Sequence, residues 1–232
     1  MPAKVFAIGL HRTGTTSLAR ALSILGLRTR DFPWRLFDNV EDPILNEFDA
    51  FTDNPMPLVY PYLDGMFPGS KFILTTRQEE EWLRSVEWLF RKGRIRFDLE
   101  RNGLADSIHF ALYGATAFDR RRCAQTYSAY HAEVAEYFRD RPQDLLRIDL
   151  SLGNPWEALA AFLDAEIPAA PFPESNSRHQ EIQLAHYIQH YRSLLRRPRN
   201  RLTTSMADQR LRPLDSRVPL RPWMHLPEVP KG

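Results

Sequence analysis

The chain has 232 residues, 43% hydrophobic and 26% charged, the balance of one soluble folded domain, or two at most, and not of a disordered or fibrous chain. Its one cysteine, Cys123, excludes a disulfide framework and a multi-cysteine metal site. A formal charge of +2, no apolar run near the ~18 residues of a membrane span and no signal-peptide pattern point to a cytoplasmic protein without a nucleic-acid partner.

Lys4 to Gly9 reads as a short buried strand. A Gly/Thr-rich turn follows, then a helix from about Thr15 to Leu25, with Leu18, Leu22 and Leu25 at helical spacing and Gly26 to end it. Phe48 to Thr52 is compatible with a strand end. Lys71 to Thr76 (KFILTT) is rich in strand formers and precedes the helical pattern EEEWLRSVEWLF, whose Trp82 and Trp88 read as core residues, as does Trp156 later. From about Asp98 to Arg139 no strand signal occurs. That stretch reads as a helical insertion, with Tyr113, Tyr127, Tyr130 and Phe138 among the aromatics available for packing. Leu145 to Leu150 is another strand candidate, leading to a helix opened by Pro155.

Strands alternating with helices predict an α/β fold, a three-layer arrangement around a central, mainly parallel sheet. Residues 1–197 are expected to form one domain, with 98–139 on the side that admits a second substrate. Residues 198–232 form a basic, Pro-rich tail, either draped over the domain or unstructured. Nine arginines stand against two acids between Arg192 and Arg221, which makes either a solvated tail or a cationic rim for an anionic ligand.

The strongest motif is Gly9-Leu10-His11-Arg12-Thr13-Gly14-Thr15-Thr16, placed between a strand and a helix. It has the spacing of a phosphate-binding loop: glycines let the backbone wrap an anion, amides point inward, and the helix dipole favours negative charge. Where such a loop usually carries its lysine, this one has Thr15, and its cation comes earlier, at Arg12. Apart from Asp149, no strand-end acid presents itself for a magnesium ion. The loop therefore suits an anionic group without obligatory metal–triphosphate chemistry, and no metal is expected. A second constellation, Arg77 at the end of KFILTT and Ser85 two helical turns on, offers a guanidinium and a hydroxyl to one anion at the sheet's C-terminal edge.

GLHRTGTTSLARAL, KFILTTRQEEEWLRS and LLRIDLSLGNPWEALAAFL followed by PFPESN, in that order, resemble the sulfotransferase superfamily that uses 3′-phosphoadenosine 5′-phosphosulfate (PAPS). They are most similar to bacterial members with an R-x-G-T-T loop. The resemblance spans about Lys4 to Arg178. It implies that His11, Arg12, Thr13, Gly14, Thr15, Thr16 and Ser17 bind the phosphosulfate and that Arg77 and Ser85 hold the 3′-phosphate. It also implies a nucleotide donor and a small-molecule, sugar or lipid acceptor carrying a hydroxyl or amine. Three features depart from many members. Arg12 stands for their lysine, Ser17 for the tryptophan that stacks on adenine, and the late Arg-Lys-Gly loop is missing, with Asn176 and Arg178 as candidate replacements; Asn176 also fits as a helix cap.

For the base that receives the acceptor's proton, the sequence offers Asp53 in FTDNP, which also suits a plain turn, and His109 and His131 in the insertion. His11 is expected to act through its backbone rather than its ring. Rival readings are a P-loop small-molecule kinase and a non-catalytic nucleotide-binding protein of the same fold. Acceptor identity and oligomeric state have no signature in the sequence.

Overall fold

The structure, a computed structural model, describes residues 3–92, 103–174 and 211–225. Asn176, Arg178 and the rest of the basic tail lie outside the described residues.

Five strands form one parallel sheet: β1 (Val5–Ala7), β2 (Thr29–Asp31), β3 (Ala50–Thr52), β4 (Lys71–Thr76) and β5 (Leu145–Asp149), in the order β2-β3-β1-β4-β5. Consecutive residues alternate between two cores, as a sheet covered on both faces requires. Val5, Ala7, Ala50, Ile73 and Ile148 pack with α1 (Thr15–Ile24), through Leu18, Ala21 and Leu22, and with Trp156 and Leu159 of a later helix, Pro155–Leu163. Phe6, Ile8, Phe51, Phe72 and Leu74 face a larger, aromatic core. This is the expected three-layer α/β fold.

The larger core is closed by six helices: α2 (Arg35–Asp38), α3 (Ile44–Glu47), α4 (Met56–Met66), α5 (Glu79–Lys92), α6 (Leu104–Tyr113) and α7 (Arg120–Tyr137). The helix at Pro155–Leu163 is α8. Pro155 opens it, and the Asn154 side chain accepts from the Trp156 amide at 3.2 Å, so its first turn is capped. None of the described helices is long and apolar enough to cross a membrane.

Three elements escape the sequence pattern. Strand β2 is a short edge strand, Thr-Arg-Asp, without apolar alternation, and it pairs with β3 through Thr29↔Ala50 and Asp31↔Thr52. Helix α4 lies under Pro55, Pro57 and Pro61. Pro57 falls in the first turn, where an amide has no helical partner to lose, and Pro61 sits inside the helix. Residues 211–225 of the tail run across the outer face of the larger core and bury Leu214, Val218 and Trp223 in it.

The tail segment is tied by ionic and backbone contacts. Asp215 accepts from the Val40 amide at 2.9 Å, and Arg212 pairs with Asp38. Arg221 donates to the Pro57 and Leu58 carbonyls and pairs with Glu133 at 3.1 Å. Glu133 also accepts from the Tyr60 hydroxyl and the Trp223 indole, so one carboxylate of α7 joins α4, α7 and the tail.

Candidate functional site

The chain leaves β1 towards β2 on one side and leaves β4 towards β5 on the other. The crevice where neighbouring connections diverge, beyond the carboxyl ends of β1 and β4, is where open α/β sheets take ligands. The Gly9–Gly14 turn rises from β1 into this crevice, and Arg77 follows β4 into it.

The turn is pressed against β4. A side chain on Gly9 would meet the Thr75 hydroxyl at 1.9 Å and its carbonyl at 2.7 Å, so only glycine fits there. Arg12 and Gly14 both take left-handed backbone, at φ +68° and +98°. For arginine that costs on the order of 1–2 kcal/mol, which the surrounding contacts must offset. Those contacts are specific. The Tyr130 hydroxyl donates to the Ile8 carbonyl, the Thr13 hydroxyl to the Leu10 carbonyl at 2.6 Å, the Trp82 indole to the His11 carbonyl at 2.9 Å, and Arg77 to the Arg12 carbonyl at 3.5 Å. The carbonyl side of the turn is thereby committed to the protein. Gly14, at the cap position of α1, has no side chain to cap the first helical turn. An anion arriving here meets backbone amides and the positive end of a helix.

The Arg12 guanidinium reaches across to α5. Its Nε donates to Ser85 Oγ at 2.9 Å, and the group lies 5.2 Å from the centre of the Trp88 ring. Arg77 comes alongside, with Nε 3.3 Å from Glu81. Arg12 is thus brought to Arg77 and Ser85, which lie 65 and 73 positions away in sequence. Trp88 corrects an expectation: it is 39% exposed and flanks Arg12, whereas Trp82 and Trp156 are buried as core residues. Ser85 and Trp88 are three residues apart on one helix face, and the Trp82, Val86 and Phe90 stripe turns away from it into the core. The Tyr127 hydroxyl donates to the Arg77 carbonyl and fixes where that arginine starts.

The other expected loop residues divide by depth. Thr13 turns its hydroxyl inward, also 2.6 Å from Thr75 Oγ1, so its amide is what it can offer a ligand. Thr15 is buried and bonds the Asp53 carboxyl; Thr16 is half-buried and Ser17 buried in the first turn of α1. The His11 ring does more than sequence suggested. It is buried, with Nδ1 at 3.0 Å from Asn54 Nδ2 and Nε2 at 3.1 Å from the Tyr113 hydroxyl. Burial first, then His109 and Arg12, hold it well below the usual imidazole range, so it is a neutral brace between the turn, β3 and α6.

Asp53 lies directly beyond β3, next to β1, in left-handed backbone (φ +67°), and its Oδ1 accepts from the Asn54 amide at 2.8 Å. Burial and the neighbouring Asp31 carboxylate push it well above the usual carboxylate range, while the Asn54 amide, Arg12 and Thr15 pull the other way. Asp31, at the end of edge strand β2, and Asp53, directly after β3, are therefore strand-end acids in addition to Asp149. His109 sits on α6 with its ring 5.5 Å from that of His11 and 4.4 Å from Phe90. His131 is elsewhere: buried one helical turn beyond Tyr127, with ring centres 4.0 Å apart, and pushed down to about 4 by burial and Arg147. A cavity of about 640 Å³, lined by Arg122, Glu133, Trp223 and His225 among others, lies between α7 and the tail.

The model of the family described as "Sulfotransferase domain" matches residues 4–181. A curated relative, Ava biosynthesis cluster protein M of Aspergillus versicolor, is 28% identical, with 73% of this chain and 79% of that protein covered. Among solved structures, a sulfotransferase from Alicyclobacillus acidocaldarius aligns over 86% of this chain and 98% of its own, with a TM-score of 0.50 and 16% identity, a likeness of fold. With most of its length matched by the family model, the chain belongs to the sulfotransferase family.

Proposed function

We propose that this protein transfers a sulfuryl group from PAPS to a hydroxyl or amine of a small-molecule, sugar or lipid acceptor. The observation that carries the reading is the convergence of Arg12, Arg77 and Ser85 on one crevice beside an anion-wrapping turn. Two guanidinium groups and a hydroxyl suit a ligand with two separate anionic groups. In this reading the turn and Arg12 hold the phosphosulfate, Arg77 and Ser85 hold the 3′-phosphate, and the exposed Trp88 ring forms an apolar wall.

Sulfuryl transfer passes a planar fragment between two in-line oxygens, so positioning and stabilisation of the leaving oxygen dominate the catalysis. Arg12 stabilises the leaving charge. Asp53, bonded through Thr15 to the start of α1, receives the acceptor's proton. His109, which faces the His11 ring, is the second candidate for that role.

Calorimetric titration with adenosine 3′,5′-bisphosphate, adenosine 5′-phosphate and ATP–Mg²⁺ tests the donor site. Preference for the bisphosphate is expected. Preference for ATP–Mg²⁺ would move the chain to the kinase reading, and label transfer from PAPS to an acceptor panel tests the chemistry itself.

A further inference from the structure

Arg12 starts from a fixed root. The Trp82 indole holds the carbonyl just before it at 2.9 Å, Arg77 reaches its own carbonyl at 3.5 Å, and its backbone is left-handed at φ +68°. From that root a long, flexible side chain crosses to α5, where two residues one turn apart meet it. Ser85 Oγ accepts from Nε at 2.9 Å, and the Trp88 ring centre lies 5.2 Å from the guanidinium carbon. Trp82, Val86 and Phe90, on the buried side of α5, hold that helix in the aromatic core, so both contacts stand on a rigid element.

We propose that Trp88 is a positioning residue for Arg12: its ring sets the plane of the guanidinium, so that the arginine which stabilises the leaving oxygen is oriented before the donor arrives. This rests on the reading of Arg12 in that role.

The two contacts act differently. A hydrogen bond to Nε fixes one atom of the group and still lets its plane turn about that point. An aromatic face adds a second restraint, because the ring's negative face attracts a cation and a flat guanidinium packs on it. A lysine could use the attraction but not the flat packing, so an arginine at this place in the turn gains something from Trp88 that a lysine would not. The ring serves this purpose because the core does not claim it: Trp88 is exposed, whereas Trp82 on the same helix is fully buried. A surface stack of this kind is a modest attraction. Its effect lies in geometry. Stabilisation of a leaving oxygen depends on where the stabilising group is held, and a misplacement of about 1 Å can cost ~10²-fold.

The test uses two variants. Trp88→Leu keeps an apolar side chain and removes the ring; Trp88→Phe keeps an aromatic face. Both replace an exposed side chain, so the fold is retained. The contact is read first, in the free protein, from the arginine Nε–H region of a ¹H–¹⁵N NMR spectrum, with Arg12→Lys to assign the Arg12 signal. That signal is expected to be displaced by the indole ring current, to move on Trp88→Leu and to move less on Trp88→Phe. A signal that Trp88→Leu leaves in place overturns the proposal, whatever reaction the protein performs. The role is read in label transfer from PAPS and in calorimetric titration with adenosine 3′,5′-bisphosphate. Trp88→Leu is expected to lower turnover about tenfold or more, with a smaller loss of bisphosphate affinity, and Trp88→Phe to recover most of the turnover. Unchanged turnover in Trp88→Leu overturns the positioning role. So does a loss of affinity as large as the loss of turnover, which would make Trp88 part of the nucleotide's own wall. Unchanged turnover in folded Arg12→Ala is a separate failure, that of the reading of Arg12; the role of Trp88 would fall with it, while the contact itself would stand.

Discussion

Arg77→Ala separates two functions of the crevice, because Arg77 contributes little to the fold. Its ion pair with Glu81 joins side chains that are 39% and 50% exposed, worth ~0.2–1 kcal/mol. Its bond to the Arg12 carbonyl is long, at 3.5 Å, and the Tyr127 contact uses the Arg77 backbone, which alanine keeps. The variant should therefore remain folded with a nearly unchanged midpoint of thermal unfolding. Removing a charged partner from a phosphate costs ~1.5–3 kcal/mol, about one to two decades of affinity. That loss should appear with adenosine 3′,5′-bisphosphate and be small with adenosine 5′-phosphate. Calorimetric titration of both nucleotides against wild type and variant reads the difference. Equal weakening of the two would show that Arg77 does not serve the 3′-phosphate. A wild type with no preference for the bisphosphate would undermine the donor reading as a whole.

Arg12→Ala should cost ~10²-fold or more in turnover, as for a main electrostatic donor, with Arg12→Lys retaining part of it; unchanged turnover in folded Arg12→Ala removes it from the mechanism. Asp53→Asn should slow transfer while sparing bisphosphate binding. It should also make the free protein more stable than wild type at pH 8 but not at pH 4. The raised Asp53 proton affinity makes the folded state bind more protons than the unfolded one, so wild-type stability falls as pH rises from the ordinary carboxylate range to the raised one. Melting curves across that range decide it, and a parallel pair of curves contradicts the raised affinity. Glu133→Ala strands the Tyr60 hydroxyl, the Trp223 indole and part of Arg221, so a loss of about 3–5 kcal/mol is expected. At the usual conversion this lowers the melting midpoint by on the order of 10 °C, with Glu133→Gln milder; a change of a degree or two would mean the tail is not held there.

What the sequence made legible was local. Strands β1, β4 and β5 are apolar runs bounded by glycine, proline and charge, and α1 and α8 carry their own start signals. Strand β2 has three polar or charged residues and exists because β3 offers it an edge, which no window of sequence contains. Helix α4 was masked by Pro57, which its first turn tolerates, and by Pro61, which it holds in its interior. In the crevice, the turn was readable from spacing, but Arg77 and Ser85 became more than a chance pair only through resemblance to a family. The tie between Thr15 and Asp53 depends on β3 lying next to β1 and so follows from sheet order. Trp88 carried a usable signal: six residues from Trp82 is 240° around a helix, off the buried stripe.

The strap at 211–225 bears on how the chain folds as it is made. The sheet and α1 assemble from contacts within the first part of the sequence, but Asp38, Asn39, Val40 and Glu41 meet their partners in the strap across 174 to 178 positions. Closing so long a loop adds little extra entropy per doubling, yet it comes late, because residues 211–225 must first leave the ribosome. Until then the aromatic core around Phe37 and Tyr130 stands partly open, and Glu133 waits with the Tyr60 hydroxyl alone. A nascent chain paused before Leu214 is therefore the aggregation-prone species, and chain cut back to the family-matched region at 181 should resemble it.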